Sequence, residues 1–482
     1  MQTQAITVSD ALLGSDFITH GATRVQVVDG FIQSVTSDVA SESGPRRLLM
    51  PAFANAHDHG RPLSTTSFGA GGKPLETWLL RLAAIPSVDP YLAAVAALGR
   101  AAEGGCAAVM IHCTRPQGLT PLAEEVEAVA RAATDVGVRL AFAVALRDRN
   151  PVVYGDETPV VKALPPQARE VLGRYFRTPS QSWREQLALV DDIATKLGGG
   201  NVNVQYGPTG VQWCSDEMLA GIAEVSASTG RRVHMHLLET RYQREYADRL
   251  YPGGVVRYLH DIGLLSPRLT LAHCVWARPD ELALIAESGA TIAVNTSSNL
   301  HLQSGIAPLR RMLDSGCRVA LGLDGCALDE DDDALREMRL GALLHAAPGF
   351  GDSTHRGQML RAATAHGRAS LGLAGTGSIA QEEPADWITL DLDHLDRDGI
   401  LRVDPQDLLF ARATKTHLDE VVVAGKTIVQ RGKLVSLDLD QVQEELRDRF
   451  RRALSERSDF CASWPEIESA VTQYYHERAG CC

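Results

Sequence analysis

The chain has 482 residues, 45% of them apolar and 22% charged, close to what a soluble globular enzyme shows and enough for a large domain plus a smaller one. A formal net charge of −13, with no Lys/Arg-rich block interleaved with aromatics, argues against a nucleic-acid polymer as partner, although not against a free nucleobase. No segment approaches the roughly 18 uninterrupted apolar residues of a membrane span, and the N-terminus MQTQAITVSDALLGSDF lacks the basic and apolar regions of a secretory signal, so the expectation is a cytoplasmic protein without a membrane partner.

The first 50 residues alternate short β-like runs with turn signals, as in Thr23 to Val28, Asp29-Gly30 and Phe31 to Val35. From residue 51 the text changes to short apolar runs, each followed by helical spacing. Eight strand candidates follow: Met50 to Ala56, Ala107 to His112, Arg139 to Ala145, Asn201 to Tyr206, Arg232 to Leu237, Leu269 to His273, Ala290 to Asn295 and Arg318 to Leu323. Helical segments between them include Leu122 to Val136, Ser182 to Leu197, Ser215 to Thr229, Pro279 to Ser288 and Pro308 to Ser315, several closed by glycine. Eight such units favour an α/β fold of the (β/α)8 TIM-barrel type over an open doubly wound sheet.

Beyond Ala334 the pattern is helical through Met359 to Leu371, then β-like in Trp387 to Leu392 and in Glu420 to Val429 with its Gly425-Lys426 turn. These strands are assigned with the N-terminus to one small β-sandwich domain. The expected division is therefore 1–50 with 380–435 for the sandwich, 51–379 for the barrel and 436–482 for a helical extension, in which Leu439 to His476 is amphipathic. Nine cysteines lie scattered without a C-x-x-C pattern, several inside apolar runs, which reads as reduced core thiols; the Cys481-Cys482 pair reads as an exposed end.

His57 and His59 stand at the end of the first barrel strand, where residues two apart point to the same side and one metal ion can meet both imidazoles. The pair His234 and His236 ends the fifth strand, with Glu239 three residues on. Of the two, His236 is favoured as a ligand and His234, one pleat deeper, as a packed or supporting residue. His273 ends the sixth strand and Asp324 the eighth. Barrel enzymes build their sites at the C-terminal ends of the strands, so all of these fall on one rim.

The ordered set P-A-F-A-N-A-H-D-H, H-M-H-L-L-E, L-A-H-C, N-T-S-S-N-L and L-G-L-D-G resembles the amidohydrolase superfamily, over most of the chain to about Lys433 and closest to its cytosine deaminase and triazine hydrolase (ATZ/TRZ) branch. The resemblance implies one divalent cation held by His57, His59, His236 and Asp324, with Glu239 shuttling a proton and His273 orienting the water and the developing oxyanion. Binuclear members carry a bridging carboxylated lysine on the fourth strand; this strand reads N-V-N-V-Q-Y-G-P, which implies a single ion. Zn²⁺ is the first expectation, with Fe²⁺ or Co²⁺ also compatible: three imidazoles and a carboxylate leave such an ion a position for water, whose pKa it lowers from about 15.7 to about 7. Asp324 can then accept the water's proton, and protonated Glu239 can donate to a ring nitrogen or leaving group.

Substrate contacts are expected from Trp78, in the long loop after the first strand, and from Gln205, Ser297 and Asn299 at rim positions. Arg147 and Arg149 suit a carboxylate or carbonyl, but R-D-R reads equally as a solvated ion-pair cluster. The run Asp329 to Asp333 reads as a solvated loop or helix start. The leading function is hydrolytic deamination of a small nitrogen heterocycle of pyrimidine, purine or triazine type. The alternatives are hydrolysis of another C–N, C–Cl, carbamate, thiocarbamate or amide bond by the same site, and a catalytically silent binding or scaffold protein. The expected partners are a small-molecule substrate and further copies of the chain, as a homodimer or higher homo-oligomer.

Overall fold

The computed structural model describes residues 3–40, 44–197, 202–325, 327–346 and 356–479. At its centre is an eight-stranded parallel sheet in strict chain order. The strands are β1 (Phe53–Asn55), β2 (Cys106–Cys113), β3 (Arg139–Leu146), β4 (Val202–Pro208), β5 (Val233–Leu237), β6 (Leu269–His273), β7 (Thr291–Val294) and β8 (Arg318–Leu321). Helices alternate with them, and the ring closes where Ala56 N–H donates to the Leu321 carbonyl at 2.8 Å and Asp324 N–H to the His57 carbonyl at 2.9 Å. This is a (β/α)8 barrel.

Strand composition explains the closure. Inward positions carry small side chains, with Ala54, Ala56, Ala108, Met110, Ala141, Ala143, Ala293 and Ala320 forming one interior cluster. Their outward neighbours, such as Val109, Ile111, Leu140, Phe142 and Val144, pack against the surrounding helices. Both faces are buried, so the strands read as unbroken apolar runs. Leu371 joins the interior cluster from below, at the end of a segment that is helical as expected but broken into Arg356–Arg361, a π-turn at Ala362–His366 and Gly367–Ser370. A Cβ at Gly367 would lie 2.4 Å from the Ala54 carbonyl oxygen, so only glycine lets this plug reach β1.

The termini build two further sheets. Thr3–Val8, Thr23–Val28 and Phe31–Ser37 form an antiparallel three-stranded sheet, and seven strands from both ends of the chain form the other, with Arg47–Pro51 beside Trp387–Asp391. Val8, Val25, Val27, Ile32, Leu49, Trp387 and Val422 share one core between them. The expected single strand Met50 to Ala56 is thus two: Met50 and Pro51 belong to this β domain, and the barrel strand starts only at Phe53. Ala52 N–H donates out of line to the Asp386 carbonyl, which turns the chain from one sheet to the other.

The expected continuous helix Leu439 to His476 is likewise two, Leu439–Ala453 and Ser458–Ala479, joined by a 3-10 turn at Leu454–Arg457. Their apolar faces answer different surfaces. The first sets Leu446 and Phe450 on Val88, Ala93 and Ala96, whereas the second sets Phe460, Trp464, Ile467 and Val471 on Leu80, Val160, Ala168 and Leu172. Asp333 starts the helix Ala334–Leu344 by accepting from Arg336 N–H, while Asp332 is buried on Arg100. Cys106, Cys214, Cys274 and Cys317 are buried free thiols; Cys326 and the Cys481-Cys482 pair lie outside the described residues. Among the described residues no helix is long and apolar enough to cross a membrane.

Candidate functional site

The C-terminal strand ends bring His57, His59, His236, Glu239, His273 and Asp324 together, every one of them buried or nearly so. Several of the turns that carry them are left-handed at non-glycine residues: Leu238 (φ 52°), His273 (φ 75°), Cys274 (φ 50°) and Asp324 (φ 58°). Such conformations cost on the order of 1–3 kcal/mol each and persist only where the surroundings enforce them.

Four donor atoms converge. His57 Nε2 lies 3.3 Å and His59 Nε2 3.1 Å from Asp324 Oδ1, and His236 Nε2 lies 3.3 Å from His59 Nε2. Ligand bonds of about 2.0–2.1 Å place their donor atoms about 3.0–3.4 Å apart around one ion. Hydrogen bonds on the far side of each ring fix the tautomer. His59 Nδ1 faces the His112 carbonyl at 2.8 Å and His236 Nδ1 the Thr209 carbonyl at 2.9 Å, contacts that only an Nδ1–H can make, so Nε2 keeps its lone pair for the common point. His57 Nδ1 meets His234 Nε2 at 2.7 Å, and Ser298 Oγ donates to Asp324 Oδ2 at 2.6 Å. His57 Nε2 and Asp324 Oδ1 are buried without any hydrogen-bond partner. Two orphaned polar atoms aimed at one point, beside two more lone pairs, fit a divalent cation.

The charges agree with this. Burial lowers His57 to about 4 and His236 well below its ordinary value, which keeps both imidazoles neutral. Burial alone would raise the Asp324 carboxyl, but His57 and His59 hold it well below the carboxylate range. Glu239 goes the other way: burial raises it to about 7, partly opposed by His273, whose Nε2 is 3.6 Å from Glu239 Oε2. His273 is oriented by Asn299 Oδ1, which lies 2.9 Å from its Nδ1 and accepts from an Nδ1–H.

These groups open into a cleft of about 270 Å³. Trp78 and Arg147 line it; Gln205, Ser297 and Asn299 do not. Gln205 points into the barrel interior and donates to Asn203 Oδ1 and the Ser370 carbonyl, and Ser297 is tied to Glu337 through both its N–H and its hydroxyl. After Asn295 the chain coils into the short helix Thr296–His301, and of its residues Ser298, which the rim positions Ser297 and Asn299 did not include, is the one that reaches Asp324. Asp148, between the two arginines of R-D-R, accepts from Ser215 instead of pairing with either. Other lining residues gave no sequence signal: Tyr154, Trp213, Tyr475 from the last helix, and Glu76, a buried carboxyl raised by burial to about 7 that accepts from Thr240 Oγ1 at 2.5 Å.

A sequence model described as the amidohydrolase family matches residues 48–428. A 5'-deoxyadenosine deaminase from Methanopyrus kandleri is 28% identical over 414 residues, covering 84% of this chain and 86% of that protein. One from Methanosarcina barkeri is 33% identical over 247 residues; there the match spans 51% of this chain and only 56% of the relative's length. Among solved structures, a zinc-bound adenosine deaminase from Xanthomonas campestris superposes with a TM-score of 0.76 at 22% identity, covering 93% of this chain and 98% of that one. A zinc-bound atrazine chlorohydrolase from Arthrobacter aurescens does so with a TM-score of 0.72 at 21% identity, covering 92% and 99%. At such identities the structures establish a shared fold and no more.

Proposed function

The chain belongs to the amidohydrolase family, and from that premise we propose that it hydrolytically deaminates a purine-type heterocycle at a single-ion site formed by His57, His59, His236 and Asp324. The observation that carries the reading is the convergence of four donor atoms on one point, two of them buried and otherwise unpartnered, beside a carboxyl raised to about 7. The deaminase names of the relatives supply the bond and the substrate class. The ion is proposed to be Zn²⁺, which suits three imidazoles and one carboxylate, and when bound it supplies Lewis-acid activation of water at neutral pH.

The chain's own residues do the rest. Asp324, anionic and steadied by Ser298, takes the proton from the attacking water through Oδ1. Glu239 holds a proton near neutrality and delivers it to a ring nitrogen; as the adduct collapses, Asp324 passes the proton taken from water to the departing amine, so that ammonia leaves as a neutral molecule, and the adduct's hydroxyl proton returns Glu239 to its acid form. His273, held by Asn299, sets its Nε2 over the same spot to orient the oxygen that adds to the ring carbon. Trp78 and Trp213 supply flat apolar walls for a planar ring. The test is ammonia release from a panel of purine and other heterocyclic amines by zinc-loaded protein. Turnover of amides or carbamates with silence across the panel would overturn deamination and leave only the hydrolytic site.

A further inference from the structure

The last helix, Ser458–Ala479, buries Phe460, Trp464, Ile467, Val471, Tyr474 and Tyr475 at helical spacing. It lies beyond residues 48–428, the part of the chain that the family model matches. The stripe packs in one cluster with Leu80, from the helix Leu75–Arg81, and with Val152, Val153 and Tyr154, from the segment after β3. Lys73 is ion-paired with Glu468, and the Lys73 ammonium and Arg81 guanidinium stand 5.6 Å and 5.4 Å from the centroid of the Trp464 ring, which pins the helix to the same ground.

Both surfaces lead on to Glu239. Tyr475 Oη accepts from Tyr154 N–H at 3.1 Å, Tyr154 Oη accepts from Gln243 Nε2 at 3.5 Å, and Gln243 Oε1 accepts from Glu239 N–H at 3.0 Å. From the other surface, Glu76 Oε1 accepts from Thr240 Oγ1 at 2.5 Å. Tyr154, Glu76, Thr240 and Gln243 are all buried, so water does not compete freely for these bonds. The turn they hold is one that needs holding: Leu238 sits left-handed at φ 52°, a conformation that persists only where its surroundings enforce it. Covering apolar ground would ask only for the stripe. Tyr475 adds a hydroxyl that meets a backbone N–H, and that N–H belongs to the residue whose own hydroxyl meets Gln243, the partner of Glu239.

We propose that Tyr475 and Gln243 are positioning residues, through which the C-terminal helix holds the Glu239 carboxyl in register with the reacting ring. This rests on the reading of Glu239 as proton donor in the deamination. Each of the two acts by keeping the turn 238–240 in one geometry, and a displacement of about 1 Å at the proton donor costs about 100-fold in rate. The helical extension is thereby part of the catalytic apparatus rather than an appendage to it.

The experiment uses the full-length zinc-loaded protein and the heterocyclic amine it turns over fastest, with the variants Tyr475→Phe and Gln243→Leu made alone and in combination with Glu239→Gln. Each keeps the bulk of the side chain and removes one link. In both single variants kcat is expected to fall by about 10- to 100-fold, with KM within about threefold of wild type and bound zinc unchanged. In the Glu239→Gln background the same two changes cost less than about twofold, because the group they position no longer transfers a proton. A loss of packing alone would carry its full cost into that background. Either single variant within about threefold of wild type, or a cost that persists beside Glu239→Gln, overturns the positioning role while leaving deamination in place. If no heterocyclic amine releases ammonia, deamination fails, and hydrogen exchange at the Glu239 amide decides the link to the helix. Exchange faster by about tenfold in Tyr475→Phe protein whose unfolding midpoint is unchanged supports it, and unaltered exchange overturns it.

Discussion

Replacing Glu239 by glutamine tests the proton-transfer reading most directly. The side chain is 4% exposed, and burial raises its carboxyl from an ordinary 4.5 to about 7. At pH 7 about half of the molecules then carry the proton, against about 0.3% for an unshifted glutamate, a difference of about 3 kcal/mol in favour of the acid form. Glutamine keeps the shape and removes the transferable proton, so kcat falls by about 10²- to 10⁴-fold. Metal content is unchanged, because Glu239 is not among the converging donor atoms. Since the protonated form is the active one, kcat/KM of the wild-type protein declines as pH rises through about 7, and in Glu239→Gln this limb disappears. Steady-state ammonia release from pH 5 to 9, with metal analysis of both proteins, reads all of this. A variant within about threefold of wild type, or one that keeps the alkaline limb unaltered, would refute the assignment.

Chelation should abolish activity and lower the unfolding midpoint, with both restored by Zn²⁺, whereas Asp324→Asn should lose activity and most bound metal and recover neither; calorimetry with and without zinc checks this. His234→Leu removes the partner of His57 Nδ1 but no converging donor atom. Zinc affinity is expected to weaken by about 10- to 100-fold while the folded state persists, and an unchanged affinity would make His234 mere packing. Glu337, raised by burial from 4.5 to about 7, favours the folded state most when protonated: its contribution is fully present below about pH 4.5 and is lost as pH rises through about 7. Denaturant midpoints of Glu337→Gln are therefore expected to fall less than those of wild type between pH 5 and 8, and parallel curves would count against it.

How much of this was legible in the sequence depends on the kind of signal. Strand alternation places His234 with His236, because both lie within β5, whereas His57 and His59 lie past Asn55, the last residue of β1, and are brought together on Asp324 Oδ1 by the turn that follows it. Past the end of β7 no such period applies. After Val294 the chain coils into the helix Thr296–His301, so the residue beneath Asp324 is Ser298, four positions before Leu302 and off the two-residue register. Sequence period also merged Arg47–Pro51 with Phe53–Asn55, since both are apolar and only Ala52, turned toward Asp386, marks the change of sheet. Tyr475 gave no local sign of a place beside the site. Its position follows from where the last helix docks, a long-range fact that the periodicity of that helix does not encode.

The distribution of strain gives the site its physical logic. Below the strand ends, the barrel is filled by alanines and sealed by Leu371, with glycine at 367 admitting the plug to within contact of β1. At the rim the balance reverses: Leu238, His273, Cys274 and Asp324 are held left-handed, and Glu76, Glu239 and Glu337 are buried with their carboxyls raised to about 7. Each of these features lowers stability, and the packed lower half is what keeps them in place. Bound zinc would offset part of that loss by satisfying His57 Nε2 and Asp324 Oδ1. The end of the barrel that binds is thus the end left unsatisfied by the protein alone, so ligand occupancy should protect the amides of β5, β6 and the Asp324 turn from hydrogen exchange while leaving the plug, already fully packed, unchanged.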